Sequence, residues 1–239
     1  MNTIKFNSVN TKVVAHRGLS GIEKENTNAA FIAAGNRSYY GIETDVHRTL
    51  DGKFVCFHDD TTGRVAIDNM IIEETTFDTL RQLLLTDRDG QKGRVELRIP
   101  TLKEYISTCK RYEKVAVLEL KNEFEKDDIA KICNEITELD YLGNTIFISF
   151  EFNNLVKLRE IYPEQKVQFL TSVYFDELPD ILVKHHFDLD IHYEALTKER
   201  IESLHTLGIE INCWTCDDKS AGEALASWGI DYITSNILE

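Results

Sequence analysis

Thr145-Ile-Phe-Ile-Ser-Phe150 opens a passage, closing at Glu210-Ile-Asn-Cys-Trp214, whose reading decides the fold. Four short β-branched or apolar runs lie in it, at Thr145–Phe150, Lys166–Thr171, Leu189–His192 and Glu210–Trp214. Between them come Asn153–Ile161, Asp176–His185 and Lys198–Leu207, where apolar residues recur at helical spacing. A regular alternation of short strand and amphipathic helix is the pattern of a right-handed βα repeat, which builds a parallel sheet.

The same rhythm extends in both directions. Strand signals occur at Val13–Ala15, Gly41–Asp45, Val115–Leu120 and Tyr232–Thr234, and helical ones at Asn28–Asn36, Leu102–Tyr112, Asp128–Leu139 and Ala221–Trp228. Thr101-x-x-Glu104 after Pro100 is a capping-box start. Gly143, Gly208 and Gly229 each close a helical pattern, where a left-handed residue is expected. Eight evenly spaced strands favour closure into a TIM (β/α)8 barrel over an open doubly wound sheet. The turn after strand 1, GLSGIEKEN (18–26), also lacks the glycine spacing of a nucleotide-binding loop.

One connection breaks the rhythm. Asp51-Gly52 marks a hairpin, and Phe77, Leu80, Leu83 and Leu84 then give a short amphipathic helix. We therefore expect one catalytic barrel domain over 1–239, with 59–100 as a small insertion after strand 2, at the barrel mouth. The alternative is a packed excursion with no part in binding.

Composition narrows the function. A hydrophobic fraction of 42% beside 28% charged residues suits a globular chain with a sizeable core. The net charge of −14, from 27 basic and 41 acidic residues, repels nucleic acid and anionic membranes. No apolar run approaches the ~20 residues of a membrane helix. The N-terminal MNTIKFNSVN has no secretion pattern, and the five cysteines are odd in number and scattered. These features predict a cytoplasmic protein without stable membrane association; its oligomeric state is not legible.

In a (β/α)8 barrel, chemistry gathers at the carboxyl ends of the strands. Strand 1 ends in VVAHRG, placing His16 and Arg17 at the rim; GIETDVH and VAVLELK end strands 2 and 3, and the hairpin ends in KFVCFHDD. Glu43 and Asp45 stand two apart and share a strand face, as do Glu119 and Lys121. Carboxylates inside such apolar runs are costly unless paired. A hard divalent cation, Mg²⁺ or Ca²⁺, would resolve both burial and mutual repulsion. The competing reading is a salt-bridge network with Arg17 and Lys121 as counter-ions. His16 and His58, on two strand or hairpin ends of the same rim, tilt the balance toward acid–base chemistry on an anionic substrate. Arg17 can fork onto a phosphate, and Lys121 adds a compact positive charge.

HRG (16–18), ENT (25–27), ETDVHRTLDG (43–52), HDDTTGR (58–64), IPTLKEY (99–105), LELK (118–121) and CWT (213–215) together resemble the glycerophosphodiester phosphodiesterase family. The likeness is spread in order from Val14 to about Ser235. It implies a TIM barrel with an insertion after strand 2, and hydrolysis of glycerophosphodiesters to glycerol 3-phosphate and an alcohol. It also implies one divalent cation on Glu43, Asp45 and Glu119, with His16 and His58 as the catalytic pair. Arg17 and Lys121 would contact phosphate, Trp214 would lie near the glycerol, and Glu25 would support Arg17 or the metal shell. His16 as base and His58 as acid is the favoured order. Attack by the glycerol 2-hydroxyl, through a cyclic phosphate, and direct attack by water both remain open. Two departures stand out: Lys24 occupies the usual proline before ENT, and the usual T-D-x-P ending is replaced by Thr234-Ser235-Asn236-Ile237. A lysophospholipase D-like or cyclising phospholipase and a non-catalytic phosphodiester-binding barrel are the alternative functions.

Other features read as structural. Cys213-x-x-Cys216 begins inside a strand and has no second ligand pair, which argues against redox or zinc roles. His185, His186 and His205 fall on or near helices remote from the rim. His192 could edge the site, and His47 shares the alternation of Glu43 and Asp45. Glu73-Glu74 and Asp217-Asp218 read as solvated surface charge.

Overall fold

The computed structural model describes residues 2–91 and 93–239. Eight parallel strands form the barrel: β1 (Lys12–Ala15), β2 (Gly41–Arg48), β4 (Val115–Leu120), β5 (Thr145–Ser149), β6 (Val167–Thr171), β7 (Asp188–His192), β8 (Ile211–Trp214) and β9 (Tyr232–Ser235). The order runs β1-β9-β8-β7-β6-β5-β4-β2, and pairing of β1 with β2 closes the ring. β3 (Phe54–Cys56) stands outside the ring, antiparallel to the far end of β2. The helices are α1 (Asn28–Gly35), α2 (Phe77–Gln82), α3 (Leu102–Arg111), α4 (Lys126–Glu138), α5 (Phe152–Ile161), α6 (Leu178–His185), α7 (Lys198–Thr206) and α8 (Lys219–Ser227). Among the described residues, no helix is long and apolar enough to cross a membrane.

Apart from α2, which belongs to the excursion, the helices wrap the barrel by burying one apolar face, as α4 does with Ile129, Ile132, Cys133 and Ile136. These side chains join the large core between strands and helices. Val14, Val117, Ile146, Ile148, Leu170 and Tyr232 form a separate cluster. A third surrounds Val65, Ile72, Leu80, Leu85 and Leu97, giving the excursion after β3 a core of its own. Thr101 and Glu104 close the predicted capping box on α3.

Several boundaries differ from expectation, each for a local reason. β2 continues past Asp45 to Arg48 because Val46, His47 and Arg48 pair with Cys56, Val55 and Phe54. Gly143 is not the left-handed residue after α4; Asp140 takes that role at φ 53°, and Gly143 enters a 3₁₀ turn at Leu142–Asn144. Gly208 and Gly229 do adopt positive φ, 76° and 87°. α2 ends at Gln82, where Leu83 turns extended yet stays buried. Asp218 is not idle surface charge, since its carboxylate accepts from the Ala221 amide and starts α8 two residues early.

Candidate active site

The three acids are placed by strand register. Asp45 on β2 stands directly beside Glu119 on β4, and Glu43 beside Val117, so the β2 pair and the β4 acid share one face. Ligand oxygens of Glu43, Asp45 and Glu119 lie within 4.8 Å of one another, and all three residues are buried. Burial and the charges of Asp45 and Glu119 push Glu43 well above the usual carboxylate range. Glu119 rises to about 8, through burial and then Asp45. Burial works against ionised Asp45 too, but the Arg17 and Lys121 charges prevail and hold it at about 2. The group is short of positive charge.

The fixed cations neutralise it only in part. Lys121 Nζ lies 2.8 Å from Glu119 Oε1 and 3.6 Å from Asp45 Oδ1. Arg17 Nε is 3.8 Å from Asp45 Oδ2. Asp45 Oδ1 is buried without a hydrogen bond. An all-oxygen set with an unsatisfied carboxylate oxygen fits a hard divalent cation.

The backbone around Arg17 bends to serve this cluster. Arg17 is left-handed at φ 52°, and its amide donates to Glu43 Oε2 at 2.7 Å. Gly18 follows at φ 73°, where a Cβ would meet the Ala30 backbone at 2.7 Å, so glycine is required there. Asn26 is also left-handed, at φ 50°. Its amide donates to Asp45 Oδ2 at 2.7 Å and its carbonyl accepts from Thr44 Oγ1 at 2.7 Å. The sequence reading gave Asn26 no role of its own; an asparagine poised for the left-handed region was the available signal.

His16 and His58 both line one cavity of about 100 Å³, with Arg17, Glu43, Glu119 and Trp214. Larger hollows of about 540 and 640 Å³ exist, but neither gathers two imidazoles and the carboxylates. Burial and then the Arg17 charge lower His16 to about 4, keeping its imidazole neutral near pH 7. Burial also lowers His58, against the pull of Asp45. His16 Nδ1 lies 2.8 Å from Asn236 Oδ1, and His58 Nδ1 lies 2.6 Å from Asp59 Oδ1. Each ring therefore keeps Nε2 for other work.

One guanidinium ties the two halves of the rim together. Arg64 donates to both oxygens of Glu25, at 2.8 Å each, and to both of Asp59, at 2.6 and 3.1 Å. Glu25 in turn accepts from Arg17 Nη1 at 2.9 Å. Arg17 and His58 are thus linked through Glu25, Arg64 and Asp59, a connection from the excursion that motif reading did not assign. Arg64→Ala is expected to lower turnover about tenfold while leaving the thermal midpoint nearly unchanged, because its side chain is 47% exposed. Parallel kinetics and calorimetry would check both halves; normal turnover would show that the link is dispensable.

The remaining expectations sort by contact. Trp214 lines the cavity with Phe150, their rings 5.4 Å apart, and His192 meets the Trp214 ring edge-to-face at 5.3 Å. His47 is buried, with Nε2 at 3.2 Å from the His58 carbonyl and Nδ1 at 3.3 Å from Glu73, so Glu73 is not merely solvated. Cys213 and Cys216 are both buried and their thiols are pushed up by burial, Cys216 to about 11, which makes poor nucleophiles. Asp190, also unassigned by sequence, lines the cavity with its carboxyl buried and raised by burial and the Glu119 charge.

Known proteins resemble this chain over nearly its whole length. A glycerophosphodiester phosphodiesterase of Caldanaerobacter subterraneus is 28% identical over 229 residues, covering 95% of this chain and 94% of its own. The structure of an Oleispira antarctica phosphodiesterase in complex with the product sn-glycerol-3-phosphate superposes with a TM-score of 0.85 at 28% identity, covering 98% and 96% of the two chains. A Thermotoga maritima glycerophosphodiester phosphodiesterase gives 0.77 at 27%, covering 95% and 94%. The family model for the glycerophosphoryl diester phosphodiesterases matches residues 16–238, nearly the whole barrel, and the chain belongs to that family.

Proposed function

We propose that this protein splits glycerophosphodiesters into glycerol 3-phosphate and an alcohol, with His16 as general base and His58 as general acid. The observation that carries the reading is that both imidazoles line a cavity that Glu43 and Glu119 line as well. The related Oleispira phosphodiesterase, whose structure holds sn-glycerol-3-phosphate, supports this product class.

Glu43, Asp45 and Glu119 would hold one divalent cation, Mg²⁺ or Ca²⁺, which supplies Lewis-acid polarisation of the phosphate. Arg17 and Lys121 clamp the anionic oxygens, and Trp214 covers the apolar side of the glycerol. Glu25 keeps Arg17 aimed, through the 2.9 Å contact described above. His16 is neutral and its Nδ1 is engaged, so Nε2 accepts the proton of the attacking hydroxyl. His58, backed by Asp59, returns a proton to the departing alkoxide. Asp59 stays ionised at about 2: burial opposes this, but hydrogen bonds from Arg64 and His58 outweigh it. Its charge favours the imidazolium form of His58, against the burial that lowers that ring. The 59–100 segment would act as an insertion that shapes the mouth of a single catalytic barrel domain, through Arg64. Five unpaired cysteines fit a cytoplasmic setting.

The test is an assay with added Mg²⁺ or Ca²⁺ on glycerophosphocholine, glycerophosphoethanolamine, glycerophosphoinositol and lysophosphatidylcholine. Release of glycerol 3-phosphate from the first three, faster than any cleavage of the lysolipid, is the expected result. No release from any of them would overturn the reading. Phosphorus NMR distinguishes attack by the glycerol 2-hydroxyl, which leaves a transient cyclic phosphate, from direct attack by water.

A further inference from the structure

Asn236 lies 220 residues from His16 in the chain, yet its side chain touches the imidazole. We infer that Asn236 and Asp217 form a positioning relay that holds His16 with its proton on Nδ1 and its lone pair on Nε2.

The orientation of the Asn236 amide is fixed from behind. Its Nδ2 donates to Asp217 Oδ2 at 2.7 Å, which leaves Oδ1 facing the other way. Oδ1 receives the Ser20 hydroxyl at 2.6 Å and the His16 Nδ1–H at 2.8 Å. An amide oxygen can only accept, so the Nδ1 position must carry the hydrogen. Asp217 is itself anchored, because Oδ1 accepts from the Asn236 backbone amide at 2.7 Å and from Ser235 Oγ at 2.8 Å. The relay therefore runs carboxylate, amide, imidazole. A neutral group touches the ring, and the negative charge stands one link back. Such a partner orients the base while favouring the imidazolium less than a charged partner would. A carboxylate in direct contact would stabilise the imidazolium instead.

This inference rests on the proposed role of His16 as base, and the experiment separates the two. Wild type, H16A, N236A and the double variant N236D/D217N are compared on glycerophosphocholine at saturating Mg²⁺. The double variant keeps every hydrogen bond described but moves the negative charge next to the ring. N236A is expected to lower kcat on the order of 10²-fold with KM little changed. N236D/D217N should recover most of that loss and move the acid limb of kcat/KM upward by about one pH unit or more. Nitrogen NMR of the unsubstituted protein near pH 7 should show His16 protonated at Nδ1. A ring protonated at Nε2 would overturn the relay, as would an inactive H16A beside an N236A variant within about twofold of wild type. Double-variant activity no better than N236A, with an unmoved acid limb, would also overturn it. Normal activity in H16A would remove the base assignment itself, and the relay with it.

Discussion

Replacing His16 or His58 by alanine is expected to cut turnover by roughly 10²–10⁴-fold each, the usual contribution of a general acid or base. The two losses should be far from additive. If one proton must leave the nucleophile as another reaches the alkoxide, removing either partner stalls the same step, and the double variant should fall little below the worse single one. Dependence on the leaving alcohol separates the roles. An activated leaving group such as p-nitrophenol needs no proton, so H58A should regain much of its rate on such a substrate while H16A should not. Equal recovery in both variants, or none, would reverse or remove the assignment. Near-normal turnover in either variant would exclude that histidine from the reaction.

Exhaustive chelation should abolish activity, and stability should respond with a particular dependence on pH. Glu43 and Glu119 both titrate above their ordinary values in the folded state, Glu119 at about 8 where a free glutamate titrates at about 4.5. The folded protein then holds a proton that the unfolded chain has already released, so the metal-free protein loses stability as pH rises from about 4.5 to about 8. Asp45 is depressed and contributes the opposite trend, but only below about pH 4. A divalent cation at about a hundred times its Kd adds about 2.7 kcal/mol, or roughly 5–10 °C in Tm for a domain of this size. The rise should be larger at pH 8 than at pH 5, because cation and protons compete for the same oxygens. Glu119→Gln should flatten the metal-free pH trend and weaken the cation-induced rise. Activity that survives complete chelation would remove the carboxylate site from the reaction, and a Tm rise independent of pH would show that the cation binds elsewhere.

Local pattern exposed the parts of the site that lie on strands. Glu43, Asp45 and Glu119 stand out because a carboxylate inside an apolar run is costly, and a spacing of two puts the first pair on one face. His16 and His58 could be placed because strand ends could be placed. The excursion's existence was legible from a broken period, but the grip of Arg64 on two acids was not, since nothing in a surface arginine's neighbourhood announces a bidentate partner 39 residues away. Asn236 and Asp217 escaped for the same reason. Asp217 sits in an acidic pair that looks solvated, and the strand-9 ending differs from the familiar one. Asp190 was hidden differently: in Asp188-Leu-Asp-Ile-His192 the inward side is shared by polar residues, and alternation alone does not say which face meets the cavity.

The pairing of Asp45 with Glu119 has a consequence for assembly. Sliding β2 against β4 by one residue would turn one acid away from the other two and dismantle the cluster. A misthreaded chain, however compact, could not gather the charges that chemistry requires. Turnover is therefore a stricter gauge of native threading than any spectroscopic measure of helix and strand content.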